Sequence, residues 1–269
     1  VAKCKEFGYK VKVIDTRPKL ELPKKPVTKI AQFDLREEQI QAVSSILYNK
    51  VENIPFHIGV IDYTVNAGKT AVMVALYLSF KRKLKTLLIT NDSDWLNQAK
   101  REFKDYLPGE DITFVQGSKV DNWSNFSIGM IQSLSRNVKK YQRELTKIDM
   151  VLVDEADLAG SKSYQTVLTH LYNTRVRIGL SGTIYMSKLV RDKLKNMNLR
   201  AFFGDIIAQF KLSESIKKGY STDTVVKMVD ANFWYNNYQS EAHEYSEIYN
   251  EMITENPTAY RVVLDRLVY

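Results

Sequence analysis

Cysteine and histidine are the residues that this sequence has least of. Its single cysteine, Cys4, excludes an internal disulfide and fits a reducing compartment, so we expect a cytoplasmic protein. The three histidines, His57, His170 and His243, are scattered along the chain and form no cluster with the cysteine. This scatter argues against a zinc site, which needs several such ligands close together.

Long hydrophobic runs are also missing. The longest apolar stretches are broken by Lys, Asp or Gly before they reach the length of a membrane span, so we expect no membrane partner. Hydrophobic residues make up 44% and charged residues 26%, as in an ordinary globular protein. Lys and Arg number 39 against 31 Asp and Glu, a net charge of +8. This balance is compatible with polyanion binding but does not require it.

Proline marks one boundary in the chain. The segment from Arg17 to Pro26 holds three of the six prolines and has no helical period, which predicts an extended linker. We therefore interpret residues 1–30 as the end of an accessory unit plus a linker. Residues 31–218 are predicted to form one domain, and residues 219–269 a linker and the incomplete start of a second domain.

Between these boundaries, short apolar runs alternate with helical patterns. A helix is expected after Phe33, with Asp34 and Glu37 as its N-capping pair. The predicted strands are Ile58–Ile61, Thr86–Thr90, Ile112–Val115, Ser127–Ile131, Met150–Val153 and Val176–Leu180. Apolar strands that alternate with helices indicate an α/β fold, a parallel sheet with helices on both faces.

A glycine loop follows the first of these strands and reads T-V-N-A-G-K-T, Thr64 to Thr70. Such a turn at a helix N-terminus offers backbone N–H groups and the Lys69 ammonium to phosphate oxygens. Tyr63 stands where the full phosphate-loop pattern has its first glycine. The alternative is therefore a helix capped by a glycine turn, with Lys69 an ordinary surface lysine.

A second motif ends the buried strand Met150–Val153 and reads D-E-A-D, Asp154 to Asp157. A carboxylate at a strand end, with a second one beside it, suits Mg²⁺ and an attacking water. The alternative is an acidic helix N-cap that the helix dipole favours. Because both motifs are expected at one edge of one sheet, together they indicate hydrolysis of a nucleoside triphosphate.

The order of motifs resembles the first motor domain of superfamily 2 helicases and translocases. The matching segments are L-R-E-E-Q at 35–39, the glycine loop, I-T-N-D-S-D-W-L-N-Q at 89–98, I-G-M-I-Q-S-L at 128–134, D-E-A-D, and G-L-S-G-T at 179–183. Within the superfamily, the likeness is to phage branch-migrating recombination helicases of the UvsW type and, further off, to XPB-like repair translocases. The resemblance implies a RecA-like domain, a truncated second RecA-like domain, and the cytoplasm of a bacterium or phage-infected host.

The resemblance also implies roles for individual residues. Lys69 would neutralise phosphate charge, Thr70 and Asp154 would ligate Mg²⁺, and Glu155 would orient the attacking water. Arg36 and Gln39 match the family's adenine-reading pair. The expected ATP-binding residues are Arg36, Gln39, Thr64, Val65, Asn66, Ala67, Gly68, Lys69 and Thr70.

Further roles concern the polynucleotide and its coupling to ATP. Backbone contacts without sequence specificity are expected from Thr90, Asn91, Gln132 and Ser133. Ser181 and Thr183 would relay the phosphate state to the bound strand. The arginine motif of the second motor domain has no match up to Tyr269. We therefore expect this chain to bind ATP, to hydrolyse it poorly, and not to unwind DNA.

Three functions remain open from the sequence. The first is an ATP-driven DNA motor that remodels branched, forked or duplex DNA in recombination, replication or repair. The second is an RNA helicase or a restriction-type DNA translocase, because backbone contacts distinguish DNA from RNA only through the 2′-OH. The third is a non-motor phosphate-loop kinase, which would need neither Arg36 and Gln39 before the loop nor Ser181 and Thr183 after the acidic motif.

Overall fold

The chain is built around one parallel β-sheet in a computed structural model that describes residues 6–10, 20–51, 54–55, 57–117, 120, 122–184 and 193–223. Two short antiparallel hairpins precede the sheet: β1 (Lys29–Ile30) with β2 (Phe33–Asp34), and β3 (Lys50–Val51) with β4 (Ile54–Pro55). The sheet strands are β5 (Ile58–Tyr63), β6 (Thr86–Thr90), β7 (Ile112–Val115), β8 (Phe126–Met130), β9 (Met150–Asp154), β10 (Val176–Ser181) and β11 (Ile206–Phe210). Their order is β11-β5-β10-β9-β6-β8-β7, and every pairing is parallel.

Helices connect these strands across both faces of the sheet. They are α1 (Glu37–Leu47), α2 (Lys69–Ser79), α3 (Ser93–Tyr106), α4 (Ile131–Arg136), α5 (Val138–Leu145), α6 (Lys162–Leu168), α7 (Lys193–Phe203) and α8 (Leu212–Lys217). A 3₁₀ helix, Ala156–Gly160, follows β9. None of the helices in the described ranges has the length and apolar content that a membrane crossing requires.

Two hydrophobic cores lie on opposite faces of the sheet. In β9, Leu152 belongs to the core that α1, α2 and α3 cover, whereas Val151 and Val153 belong to the core that α4 to α7 cover. All three side chains are fully buried, each worth about 1.5–3 kcal/mol relative to exposure. A strand buried on both faces needs a continuous apolar run, which is why the runs in the sequence predicted a parallel sheet.

The structure confirms the α/β class and most strand positions, and it corrects two details. The helix after Phe33 begins at Glu37, and its N-cap is Arg36, whose backbone N–H donates to Gln39 Oε1 at 2.9 Å. The predicted pair of Asp34 and Glu37 is therefore wrong, because Asp34 lies in β2. Strand β11 is the second correction, since it is not among the strands that the sequence predicts.

The chain separates into two compact units, Val1–Ser221 and Thr222–Tyr269. Only Thr222 and Asp223 of the second unit fall within the described ranges. The predicted truncated second RecA-like domain thus lies outside the described residues. The boundaries 1–30, 31–218 and 219–269 stay predictions.

Candidate nucleotide site

The glycine loop connects the end of β5 to the start of α2. Gly68 caps the helix in a left-handed conformation, with φ at 77°, and Asn66 is also left-handed, at 65°. A Cβ at position 68 would overlap the carboxamide nitrogen of Gln39, and the positive φ also favours glycine at this position. The loop therefore presents the unpaired N–H groups of the first turn of α2, which suit an anion.

Gln39 fastens this loop to the start of α1. Its side chain is buried, and Nε2 donates to the carbonyl oxygens of Ala67 at 3.1 Å and Gly68 at 3.4 Å. Arg36 also reaches the loop, because its Nη1 donates to Asn66 O at 3.4 Å. The structure thus brings the predicted adenine-reading pair against the phosphate loop, where both side chains also hold the loop in shape.

Lys69 crosses from the loop toward the acidic motif. Its Nζ donates to Tyr63 O at 3.5 Å and lies 3.9 Å from Glu155 Oε1. The Lys69 side chain is 15% exposed, so the ammonium sits at a partly desolvated strand edge. Residues 86 positions apart in the sequence therefore meet, because β5 and β9 both flank β10 in the sheet.

Asp154 ends β9 as a buried carboxylate. Its Oδ1 has no hydrogen-bond partner among the described residues. Burial and, to a lesser extent, the charge of Glu155 raise the pKa of Asp154 to about 6, against the opposing charge of Lys69. A buried carboxylate oxygen without a donor fits a cation at this position.

The predicted Mg²⁺ site has few protein ligands. No group of three or more His, Cys, Asp or Glu side chains in the described ranges is placed to hold a metal ion. Mg²⁺ in phosphate-transfer sites uses one or two protein carboxylates plus phosphate oxygens and water. Thr70, in the first turn of α2, and Asp154 fit that kind of site.

Glu155 has an unusual backbone. Its φ is 48°, in the left-handed region, where a side chain with a Cβ is disfavoured. The turn directs the chain from β9 straight into the 3₁₀ helix. Strained residues of this kind concentrate at functional sites, which makes Glu155 a candidate on geometry as well as on sequence.

A cleft of about 410 Å³ opens beside the two acids and runs toward the end of β6. Its lining residues are Thr90, Asn91, Asp92, Ser93, Trp95, Asp154 and Glu155. Two predicted polynucleotide contacts, Thr90 and Asn91, therefore lie next to the acidic motif. Thr90 is buried and its hydroxyl accepts from Asp92 N at 3.2 Å, so its side chain already has an internal partner.

The other two predicted polynucleotide residues follow β8. Gln132 Nε2 donates to Asn91 O at 3.2 Å, which joins the ends of β6 and β8. Ser133 Oγ accepts from Gly117 N at 2.8 Å and so supports the loop after β7. Asn91 and Gln132 are brought together, whereas the Thr90 and Ser133 hydroxyls have internal partners. Nucleic-acid binding by all four stays a prediction.

Ser181 and Thr183 link the acidic motif to the next strand end. Ser181 Oγ donates to Asp157 Oδ1 at 3.0 Å and accepts from Thr183 N at 3.2 Å. Between them, a Cβ on Gly182 would lie only 2.9 Å from Tyr63 O, so glycine allows this turn to touch the end of β5. The predicted coupling segment is thus in contact with both motifs.

Beside the loop lies an aromatic cluster that the sequence did not predict, formed by the tilted rings of Tyr63, Phe210 and Tyr220. The ring centroids are 5.8 Å apart for Tyr63 and Phe210, and 6.4 Å apart for Phe210 and Tyr220. The Tyr63 hydroxyl donates to Glu38 O, and the Glu38 carboxylate accepts from Lys218 Nζ at 2.8 Å. The one signal in the sequence was the tyrosine in place of the first glycine.

Comparison with known sequences identifies relatives of this chain. A model of the family described as type III restriction enzyme, res subunit, matches residues 32–186, more than half of the chain. The ATP-dependent DNA helicase uvsW of Enterobacteria phage T4 is 24% identical over 177 residues, covering 63% of this chain and 34% of the relative. L396 of Acanthamoeba polyphaga mimivirus, provisionally named an ATP-dependent RNA helicase, is 27% identical over 125 residues, covering 46% and 23%. The chain spans about a third or less of these relatives.

Solved structures with the same fold include the UvsW helicase from bacteriophage T4. Its TM-score is 0.56 at 22% identity, and the match covers 78% of this chain and 75% of that chain. A nuclease-deletion mutant of the type ISP restriction-modification enzyme LlaGI, in complex with a DNA substrate mimic, has a TM-score of 0.52 at 16% identity, covering 69% and 18%. At such low sequence identity, the structural match shows the fold alone. That shared fold confirms the predicted RecA-like sheet.

Proposed function

The chain belongs to the family described as type III restriction enzyme, res subunit, and from this premise we propose that it is the ATP-binding motor domain of a DNA helicase or translocase. The family match and the relatives confirm the predicted resemblance to superfamily 2. The proposed activity is ATP-driven remodelling of branched, forked or duplex DNA in recombination, replication or repair.

One observation carries this proposal above the others. Lys69 from the phosphate loop and Glu155 from the acidic motif lie 3.9 Å apart, next to the buried Asp154 Oδ1, which has no donor in the part of the chain that the structure describes. A cation and a carboxylate at this distance, beside a second carboxylate, are the groups that phosphoryl transfer needs. A glycine-capped helix or an acidic N-cap would not require them to meet.

The chemistry assigned to these residues is electrostatic. Lys69 and the N–H groups at the start of α2 would bind the phosphates, from Thr64 to Thr70 along the loop. Thr70 and Asp154 would hold Mg²⁺, which when bound supplies positive charge to the phosphate oxygens. Glu155 would orient the attacking water. Arg36 would contact the adenine, with Gln39 beside it.

The polynucleotide is assigned to the cleft at the ends of β6 and β8. Asn91 and Gln132 would contact the sugar-phosphate backbone, with Thr90 and Ser133 supporting the strand ends that carry them. Ser181 and Thr183 would transmit the phosphate state, since Ser181 contacts Asp157 and Gly182 approaches Tyr63. DNA is the proposed partner because the relative with the longer match is named a DNA helicase.

RNA is the second candidate substrate. The mimivirus relative, provisionally named an RNA helicase, is the observation that favours it. ATPase activity of a protein with both motor domains, measured with duplex, forked and single-stranded DNA and with RNA, distinguishes the two. Stimulation by RNA alone would replace the DNA assignment, and no stimulation by any of them would favour a non-motor enzyme.

Calorimetry with Mg-ATP tests nucleotide binding directly. Lys69→Ala should weaken the affinity by about tenfold or more, because the ammonium is the principal charge for the phosphates. Lys83→Ala is the matched control, since Lys83 is an exposed lysine that pairs with Glu21 away from the loop. Equal affinity of the parent and Lys69→Ala for Mg-ATP would refute the proposal.

A further inference from the structure

We propose that Tyr220 is a positioning residue for the nucleotide base, because its ring holds the Arg36 guanidinium in the place where a purine stacks. This inference rests on the proposed ATP binding and adds to it a residue 184 positions away from Arg36. The base would bind against the accessible side of the guanidinium. Tyr220 itself would not touch the nucleotide.

The contact between Arg36 and Tyr220 has the distance of a stack. The guanidinium carbon of Arg36 lies 4.0 Å from the centroid of the Tyr220 ring. The same guanidinium donates to Asn66 O at 3.4 Å, at the phosphate loop. Arg36 is half-buried and has no carboxylate partner in the described part of the chain, so the ring and the loop carbonyl fix its position.

Gln39 is less available to the base than Arg36. Its Oε1 accepts from Arg36 N, and its Nε2 donates to Ala67 O and Gly68 O. Both Nε2 hydrogens therefore have partners in the loop. Recognition of the base falls to the guanidinium plane, which can stack on any purine ring.

Tyr220 can hold the Arg36 side chain in place because several contacts fix the position of Tyr220 itself. Its backbone N–H donates to Ser215 O at 2.9 Å, and its ring leans on Phe210. The preceding Gly219 turns the chain with a φ of 73°. Lys218, two residues before Tyr220, pairs with the buried Glu38 at 2.8 Å. The segment after α8 is thereby fastened to the start of α1, where Arg36 lies.

The physical expectation is a loss of base affinity without a loss of phosphate affinity. Without the ring, Arg36 would sample more rotamers, and stacking on the base would have to order it again. A cation–π contact at a partly exposed site changes an equilibrium by about fivefold or less. Tyr220→Leu should therefore raise the Kd of Mg-ATP by about two- to fivefold, whereas the Kd of Mg-tripolyphosphate should stay the same.

Calorimetry on the 269-residue chain separates the two contributions. The ligands are Mg-ATP and Mg-tripolyphosphate, and the variants are Tyr220→Leu, Tyr220→Phe and Tyr172→Leu. Tyr220→Phe keeps the ring and should restore the parental Kd for ATP. Tyr172 is 63% exposed, so Tyr172→Leu controls for the loss of a tyrosine. A parental Kd for Mg-ATP in Tyr220→Leu overturns the inference, as does an equal loss for both ligands.

A double-mutant cycle with Arg36→Gln gives a second reading if Tyr220→Leu is poorly folded. Tyr220→Met is a second way to remove the ring, and it should raise the Kd of Mg-ATP when Arg36 is present. Arg36→Gln alone should weaken Mg-ATP more than Mg-tripolyphosphate. Once Arg36 is replaced, the change at Tyr220 should have no further effect on the Kd. Additive effects would overturn the role of Tyr220. Failure of the parent to bind either ligand would instead overturn the proposed function and this inference with it.

Discussion

The two ends of the three central strands, β10, β9 and β6, are built in opposite ways. At the amino ends, the residues just before the strands are Arg175, Asp149 and Lys85, and all three have partners. Asp149 Oδ1 accepts from Arg175 Nη2 at 2.8 Å, and Oδ2 accepts from Lys85 N at 3.1 Å. Both oxygens of this carboxylate are satisfied.

The pairing at the amino ends continues outward to α5. Lys85 Nζ donates to Glu144 Oε2 at 2.5 Å, and Lys147 donates to its other oxygen. Burial acts to raise the pKa of Glu144, but the hydrogen bonds from Lys147 and Lys85 prevail and lower it. The charges at this end compensate one another without any ligand.

At the carboxyl ends, the group that ends the middle strand is left incomplete. Asp154 ends β9 with a buried oxygen, Oδ1, that has no hydrogen-bond partner among the described residues, and burial raises the pKa of Asp154 to about 6. One sheet thus separates two tasks at its two edges. Paired charges stabilise the amino ends. The carboxyl end of β9 instead keeps a buried carboxylate, Asp154, that a cation bound with a nucleotide would neutralise.

The largest expected effect is on catalysis at the carboxyl ends. Glu155→Gln keeps the shape but removes the carboxylate, so hydrolysis of ATP should fall by about 100-fold or more. Single-turnover hydrolysis by a protein with both motor domains, in excess over ATP, measures this. Thermal unfolding should show no loss of stability, and a variant that is equally active would break the assignment of this end to function.

The next effect is on stability at the amino ends. Asp149→Ala leaves Arg175 without its carboxylate and should lower the free energy of unfolding by about 2 kcal/mol. Urea denaturation gives this value, and calorimetry with Mg-ATP on the same protein should give the parental Kd. A change in the Kd of Mg-ATP without a change in the free energy of unfolding would assign the amino ends to nucleotide binding and not to stability.

A smaller and opposite effect is expected for Asp154→Asn. The folded pKa of Asp154 is raised, so its contribution is favourable at low pH and is lost as the pH rises through about 6. In metal-free buffer at about pH 8, the neutral variant should be more stable by about 1–2 kcal/mol. Near pH 4 this gain should shrink toward zero. Urea denaturation at the two pH values measures both, and a gain that does not depend on pH would contradict a titrating carboxylate as its cause.

The smallest effect on ATP is expected at the end of β10. In a protein with both motor domains, Ser181→Ala with Thr183→Ala should retain most DNA-stimulated ATPase and change the Kd of Mg-ATP less than about threefold. DNA unwinding should be lost, because the contact from Ser181 to Asp157 is removed. Normal unwinding by this double variant would reduce the segment to a structural turn.

Much of the central sheet could be predicted because each inner strand carries its own signal. Thr86–Thr90 has the same bounds in the prediction and in the structure, since all five residues are buried. The edge strand β11 was not predicted, because it is half-exposed and its register shifts between Ile206 and Ala208. Its residues also lack the continuous apolar run of an inner strand.

The candidate site likewise contains residues that the sequence predicts and contacts that it does not predict. The loop and the acidic motif have local patterns, so Lys69 and Asp154 were found. The contact of Arg36 with Tyr220 joins distant parts of the chain and has no local pattern. The internal partner of the Thr90 hydroxyl could not be foreseen either, because it depends on the exact turn into α3.

The left-handed backbone of Glu155 affects which substitutions are favoured at this position. At a φ of 48°, glycine is the replacement that would relieve strain, by about 1 kcal/mol. The same exchange would remove the carboxylate assigned to the attacking water. A screen that rewards heat resistance alone would therefore favour inactive chains at this position, whereas one that rewards turnover would retain the strained residue.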